Sequence, residues 1–499
     1  MKNTKKVLVF GLDSMEKDLV LEWAYQGILP NFARLLETGS WGLTQNPTGL
    51  VSGGTWSSFY NGTLPDQHGQ YDAYDYFDAE KYRNATYSRS ELNYNPIWER
   101  LSREGKRFVV IDAPYTFLAD NCNGIHIMDW TTHVRVHSGK PKTWPPALAA
   151  EIDVQFGSDP LGTDVGSPCD QEPPRTAKEY ASFRDKLLDR LNRKANLTEK
   201  LLKREDWDFF LTVFCEPHCI GHHCWHVHDA RHALHDAELA RVVGDPVKDV
   251  YVGVDAALGR VLSAIDEDTV VVVYSSFGMG PHYSGTDLLD QILLRLEGRR
   301  PSRSKERIMS AMRQAWRRAP TSLRKSLMPV RRSTWERFYH SRMTPDRSTR
   351  RFFEMKTNNA TGGVRINLVG RESHGLVQRG VEYNTLCEQL TEDLLAMRNA
   401  DTDEPLVQEV LRADQIYHGE KLSKLPDLLV QWNRSTPIVR ATSPKTGFIE
   451  NRHLSARTGD HKPFGLYIAA GSSVQPGRLP AAISVADIAP MIATMLGII

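Results

Sequence analysis

Short apolar runs recur along this chain, each followed by a longer amphipathic stretch. They are KKVLVFGLD (5–13), RFVVIDAPYT (107–116), DFFLTVFCE (208–216), TVVVVYSSFG (269–278), GVRINLVG (363–370), PDLLVQW (426–432) and FGLYIAAG (464–471). Their hydrophobicity is continuous rather than alternating, which predicts strands buried on both faces. Between them, PNFARLLETG (30–39) and KDVYVGVDAALGRVLSAIDE (248–267) carry helical periodicity. The chain closes with SVADIAPMIATMLGI (484–498), a Ser-initiated helix pattern with Asp487 in its first turns. No internal repeat is evident. Buried strands alternating with helices predict one fold class: α/β, a large, mostly parallel sheet flanked by helices.

Sheets of this kind place their chemistry beyond the C-terminal ends of the strands. The segment that follows the run 208–214 is FCEPHCIGHHCWHVHD (214–229), which holds His218, His222, His223, His226 and His228, five of the chain's 17 histidines. His218 and His222 are spaced four apart, with Gly221 leaving room beside the second. Neutral imidazoles are common metal ligands and suit zinc well. A solvated His-rich turn is the alternative. Asp13, at the end of the first strand, can reach the same crevice or serve as an Asx turn or helix cap. Ser52, Gly53, Gly54 and Thr55 lie before a helix pattern, where free backbone N–H groups suit an oxyanion. On local sequence alone, helix capping by Ser52 or Thr55 is the simpler account.

Composition narrows the class. The chain has 499 residues, 40% hydrophobic and 25% charged, with a net charge of +1. That is an ordinary globular balance, and the whole-chain charge argues against a polyanionic partner. Cys122, Cys169, Cys215, Cys219, Cys224 and Cys387 show no framework spacing, as expected of free thiols in a reducing compartment. The apolar run after the basic start MKNTKK is too short for a signal-peptide core, so a cytoplasmic location is expected. No run is long enough to span a membrane. Residues 299–351 differ from the rest: 17 Lys or Arg against Glu306, Glu336 and Asp346, a net of +14. They read as a basic helical insertion at 296–355, a lid or interaction arm between core parts 1–295 and 356–499. Packing on the acidic remainder and docking of an anionic substrate or acidic partner are both open readings. No nucleic-acid-binding module is recognisable.

Taken in order, the motifs resemble the type I phosphodiesterase/nucleotide pyrophosphatase branch of the alkaline phosphatase superfamily. Asp13 ends the first strand, and GILPNFARLLETGSWG (27–42) carries an L-P-N helix start. NGTLPDQHG (61–69) matches a T-G-x-x-P-x-x-H-G turn and EPHCIGH (216–222) an E-P-D-x-x-G-H metal segment. YSSFGM (274–279) matches S-D-H-G-M, and TGDHKPFGLYIAAG (458–471) the segment with the last metal ligand. The resemblance covers nearly the whole chain outside the basic segment. It implies an alkaline phosphatase-like fold and a metal-dependent hydrolase of a phosphoester or related ester, acting on a small anionic substrate.

Carried over residue by residue, the resemblance makes Ser52 the nucleophile. It sets Thr55 in the place of a substrate-contacting Asn, with Trp56 beside it on the substrate side. One metal falls to His218, in place of the Asp, together with His222 and His461. Three neutral imidazoles favour zinc, with manganese or iron as alternatives. The second metal would need Asp13, Ser52, Ser276 and Phe277, and the last two have lost the family's Asp and His. One metal is therefore expected, with a weak or empty second position. His282, five residues past Phe277, is the nearby candidate to compensate. A mononuclear enzyme of non-phosphoryl chemistry and a non-catalytic binding member are the other readings. The C/S-x-P-x-R pattern of formylglycine sulfatases is missing from SGGTW (52–56).

Overall fold

The computed structural model describes residues 6–51, 53–73, 75–133, 135, 141–162, 174–299, 346–357, 360–450 and 457–498. Its centre is a ten-stranded sheet. From one edge the strand order is Gly477–Arg478, Ser40–Gln45, Phe464–Ala470, Val270–Ser275, Val7–Leu12, Phe209–Phe214, Phe108–Ile111, Gly124–Met128 and Lys142–Trp144. Ile483–Ser484 also pairs with Ser40–Gln45. The five central strands, from Val270–Ser275 to Gly124–Met128, run parallel. Phe464–Ala470 joins antiparallel. In Val7–Leu12, Phe209–Phe214 and Val270–Ser275 every residue is buried, as their unbroken apolar runs predict.

Helices cover both faces. Lys17–Tyr25, Pro30–Thr38, Ala177–Arg204, Glu216–His228 and Pro246–Leu262 close one core, and Thr55–Asn61, Ile97–Arg103 and Val485–Met495 close the other. Local chemistry sets their starts. Pro30 opens its helix, Thr176 and Glu179 form a capping box, Asp245 caps the helix at 246, and Ser484 caps the last one. The fold class read from the sequence is the one observed. The expected basic helical insertion lies mostly outside the described residues; its C-terminal end supplies the strand Phe352–Glu354.

The runs at 363–370 and 426–432 do form strands, but not in the main sheet. With Phe352–Glu354 and Val407–Arg412 they build a separate four-stranded antiparallel sheet, packed on Thr286–Leu296 and Val381–Leu395 around its own core. A further pair, Gly278–Pro281 with Gly459–Lys462, sits beyond the C-terminal end of Val270–Ser275 and sets Met279 opposite His461. Among the described residues, no helix is long and apolar enough to cross a membrane.

Candidate active site

The parallel register aligns Leu12 with both Phe214 and Ser275. The next residues, Asp13, Cys215 and Ser276, therefore leave the sheet side by side at one rim. From Cys215 the chain turns directly into the helix Glu216–His228. The His-rich segment is thus a buried helix rather than a solvated turn. Of its five histidines, two point at His461. His222 Nε2 lies 3.2 Å from His218 Nε2 and 3.1 Å from His461 Nε2. The others have different partners: His226 meets the Tyr180 hydroxyl, His228 meets Asp245, and His223 packs edge-on to Phe183.

Two close approaches create this convergence. A Cβ on Gly221 would come within 2.8 Å of the Met279 side chain, and one on Gly459 within 2.2 Å of the Gly221 carbonyl. Glycine at both positions lets the helix lie against the strand pair that carries His461. His222 Nδ1 donates to the Gly459 carbonyl at 2.7 Å, which leaves the Nε2 lone pair facing the other two rings. Burial is the first cause holding His218 and His222 well below the ordinary histidine range and His461 down at about 4, with the Arg457 guanidinium acting in the same sense. Three neutral imidazoles with lone pairs facing one another fit a bound cation. The tetrahedral edge for zinc–nitrogen bonds of ordinary length is about 3.3 Å, close to the two separations observed.

Asp13 lies beside this cluster. Its Oδ1 accepts from the Trp56 indole N–H at 3.0 Å and from Ser276 Oγ at 3.1 Å. Its Oδ2 faces His133 Nδ1 at 3.0 Å. Burial pushes the carboxyl up, but His133, Trp56 and His461 together bring it below the usual carboxylate range, so it stays ionised. Trp56 is fully buried, edge-on to Tyr274, so its polar contact is with a site carboxylate. Thr55 opens the short helix Thr55–Asn61 and is also buried. Ser52 lies outside the described residues.

Phe277 fills the space where the family pattern has a ligand, with its ring centroid 4.4 Å from that of His461. His282 does not compensate: its Nδ1 is 3.0 Å from Asp460 Oδ2, and it belongs to that carboxylate. A different pair stands near Asp13. Asp13, His133 and Cys215 each offer a ligand atom, all within 4.8 Å of one another and all buried, as are those of His218, His222 and His461. The rings of His133 and His218 are 4.2 Å apart. Sequence reasoning missed His133 and Cys215. Cys215 stood at the strand–helix junction and could have been found there; His133 has no local signal.

The loop that brings His133 in is tied down from below. Asp112 accepts from the Trp130 and Thr131 backbone N–H groups at 3.1 and 2.9 Å and from Thr131 Oγ1 at 2.8 Å. Lys194 Nζ, fully buried, pairs with Asp112 at 3.1 Å and donates to the Val213 carbonyl at 2.6 Å. Asp129, the first residue after Gly124–Met128, takes a positive φ of 62°, so this loop bends sharply as it leaves the strand; Asp112, just past Phe108–Ile111, takes 53°.

Comparison with known proteins bears on the family and the fold. Residues 7–462 match the type I phosphodiesterase / nucleotide pyrophosphatase family. Phosphonoacetate hydrolase from Sinorhizobium meliloti 1021, solved with phosphonoacetate, shares the fold at a TM-score of 0.51 and 12% identity, over 99% of this chain and 96% of that one. The same enzyme with phosphonoformate gives 0.50 at 12% identity and the same coverage. Murine ectonucleotide pyrophosphatase / phosphodiesterase 5 gives 0.48 at 13% identity, again over 99% and 96% of the two chains. A search of curated proteins finds no match.

Proposed function

The chain belongs to the type I phosphodiesterase / nucleotide pyrophosphatase family, and from that premise we propose that it hydrolyses a small anionic phosphoester at the rim holding Asp13, His218, His222 and His461. The convergence of three buried imidazoles on one point, beside an ionised carboxylate, carries this reading. Zinc is the metal that this donor set suits best. A divalent cation held there would supply Lewis-acid charge, lowering the pKa of a hydroxyl and balancing phosphoryl oxygens.

The chain's own groups do the rest. Ser52 is the nucleophile, three positions before Thr55 in the chain. Asp13 is too acidic to act as a general base near neutrality; it orients, and Trp56 and Ser276 fix its Oδ1. Thr55 is the substrate contact, and Trp56 acts on the substrate through Asp13. Arg457, whose charge bears on all three imidazoles, favours an anionic ligand. A cytoplasmic location is supported by the free state of Cys122, Cys215, Cys219, Cys224 and Cys387.

The test is hydrolysis of a chromogenic phosphodiester by the zinc-loaded protein. Chelation should abolish turnover and zinc should restore it. Ser52→Ala should lower kcat by several orders of magnitude, whereas Thr55→Ala should leave most of it. Near-normal turnover in the Ser52 variant would rule out the covalent route.

A further inference from the structure

The family's second metal position has lost two ligands in this sequence, yet the structure gathers replacements from elsewhere in the chain. We propose that Asp13, His133 and Cys215 form a second metal site, of mixed oxygen, nitrogen and sulfur donors, suited to zinc or another thiophilic divalent ion. This extends the hydrolase reading to its second metal and rests on that reading only for the purpose the metal serves.

Four observations converge. The three candidate ligand atoms lie within 4.8 Å of one another, and all three residues are buried. Asp13 Oδ2 and His133 Nδ1 face each other at 3.0 Å, yet neither has a hydrogen-bond partner among the described residues. Two buried polar atoms at that distance without hydrogen-bond alignment are costly to leave unsatisfied, and a cation between them removes the cost. The far nitrogen of the same ring, Nε2, is held by the Tyr115 hydroxyl at 3.0 Å. That outer contact orients a ligating imidazole. Finally, the His133 loop is fastened by the Asp112–Lys194 pair beneath it, so the ligand is built in.

The donor set has a chemical consequence. Three protein ligands leave a fourth tetrahedral position open, as in catalytic rather than structural zinc sites. The loss of the family's Asp–His pair is then a relocation: the carboxylate and imidazole at 276 and 277 give way to a thiolate at 215 and an imidazole at 133. On metal binding the Cys215 S–H bond breaks, its electron pair forms the sulfur–metal bond, and the proton leaves to solvent.

The experiment uses the full chain, stripped with a chelator and titrated with cobalt(II). Two equivalents should bind, and a thiolate-to-cobalt charge-transfer band should appear in the near ultraviolet. Cys215→Ser should abolish that band and weaken one equivalent at least about ten-fold while sparing the other. His133→Ala should do the same to that equivalent. Tyr115→Phe leaves all three ligands in place and should weaken the band-forming equivalent by about ten- to a hundred-fold, which keeps the test decisive if the ligand variants misfold. His222→Ala should remove the other equivalent and keep the band. A wild-type protein that binds cobalt without a thiolate band, or a band that survives Cys215→Ser, would overturn the proposal. Two bound equivalents in a protein with no esterase activity would uphold it and sink the hydrolase reading instead.

Discussion

Asp13 is the residue on which the site turns. It is buried and ionised, and its Oδ1 takes both a tryptophan N–H and a serine hydroxyl. Hydrogen bonds to a charged group are worth about 1.5–3 kcal/mol each. Trp56→Phe keeps the ring packed against Phe59 and Tyr274 but removes the donor. It should destabilise the fold by about 1–3 kcal/mol and lower kcat/KM about ten-fold, with zinc still bound at His218, His222 and His461. Urea unfolding and a metal assay check this; unchanged kinetics would show that Asp13 does not need the indole. The three histidines and Asp13 were legible because each sits in a short motif whose neighbours resemble a known pattern. Ser276 was legible as a loss of a carboxylate, and in the structure its neutral hydroxyl donates to Asp13. His133 was not legible. It reaches Asp13 only through a loop bent at Asp129 and held by Asp112 from the neighbouring strand's end, and no local pattern signals that closure.

At the level of elements, the site depends on one helix lying unusually close to one strand pair. A Cβ on Gly459 would overlap the Gly221 carbonyl, a backbone atom that cannot swing aside. Gly459→Ala should therefore push the helix Glu216–His228 away from Gly459–Lys462. The expected cost is about 1–3 kcal/mol of stability, together with weaker zinc binding as the His222–His461 contact opens. Retention of both stability and zinc affinity would show that the approach is looser than the geometry implies. A second dependence runs through Lys194. Lys194→Met leaves Asp112 buried and uncompensated, and removal of one partner of such a pair costs about 3–5 kcal/mol. Proteolysis and thermal unfolding of the variant should show a large loss, and a near-silent change would mean that Asp112 keeps its charge balanced by other means. The central strands were readable from their unbroken apolar runs. Ser40–Gln45 and Gly124–Met128 were not, because SWGLTQ is half-buried and polar and GIHIM is short. The pattern also could not say that 361–366 and 428–432 pair away from the main sheet, since burial is written locally and pairing is not.

Across the whole molecule, acid should act through histidines that the fold holds neutral outside the three-histidine cluster. His68 accepts the Gln70 N–H on Nδ1 at 3.1 Å and has its Nε2 at 3.0 Å from Ser58 Oγ. His126 accepts the Ala119 N–H on Nδ1 at 3.1 Å and lies against Trp98. Each ring must keep a bare nitrogen to accept its backbone donor, and burial takes both down to about 3. An unfolded chain titrates its histidines near the ordinary value of about 6.5. Between these two values the unfolded state binds a proton that the native state refuses, so stability is complete above about pH 6.5 and falls as pH drops toward 3. Each histidine should contribute a slope of about 1.4 kcal/mol per pH unit across that window. The urea midpoint of the chelated protein, followed from pH 7.5 to 4.5, should therefore fall steeply. His68→Gln and His126→Gln, which cannot take up that proton, should each flatten the slope even where they lower stability at neutral pH. An acid slope that the double variant leaves unchanged would assign the sensitivity to other groups, and the buried cluster of His218, His222 and His461, also held low by burial, would be the next to examine.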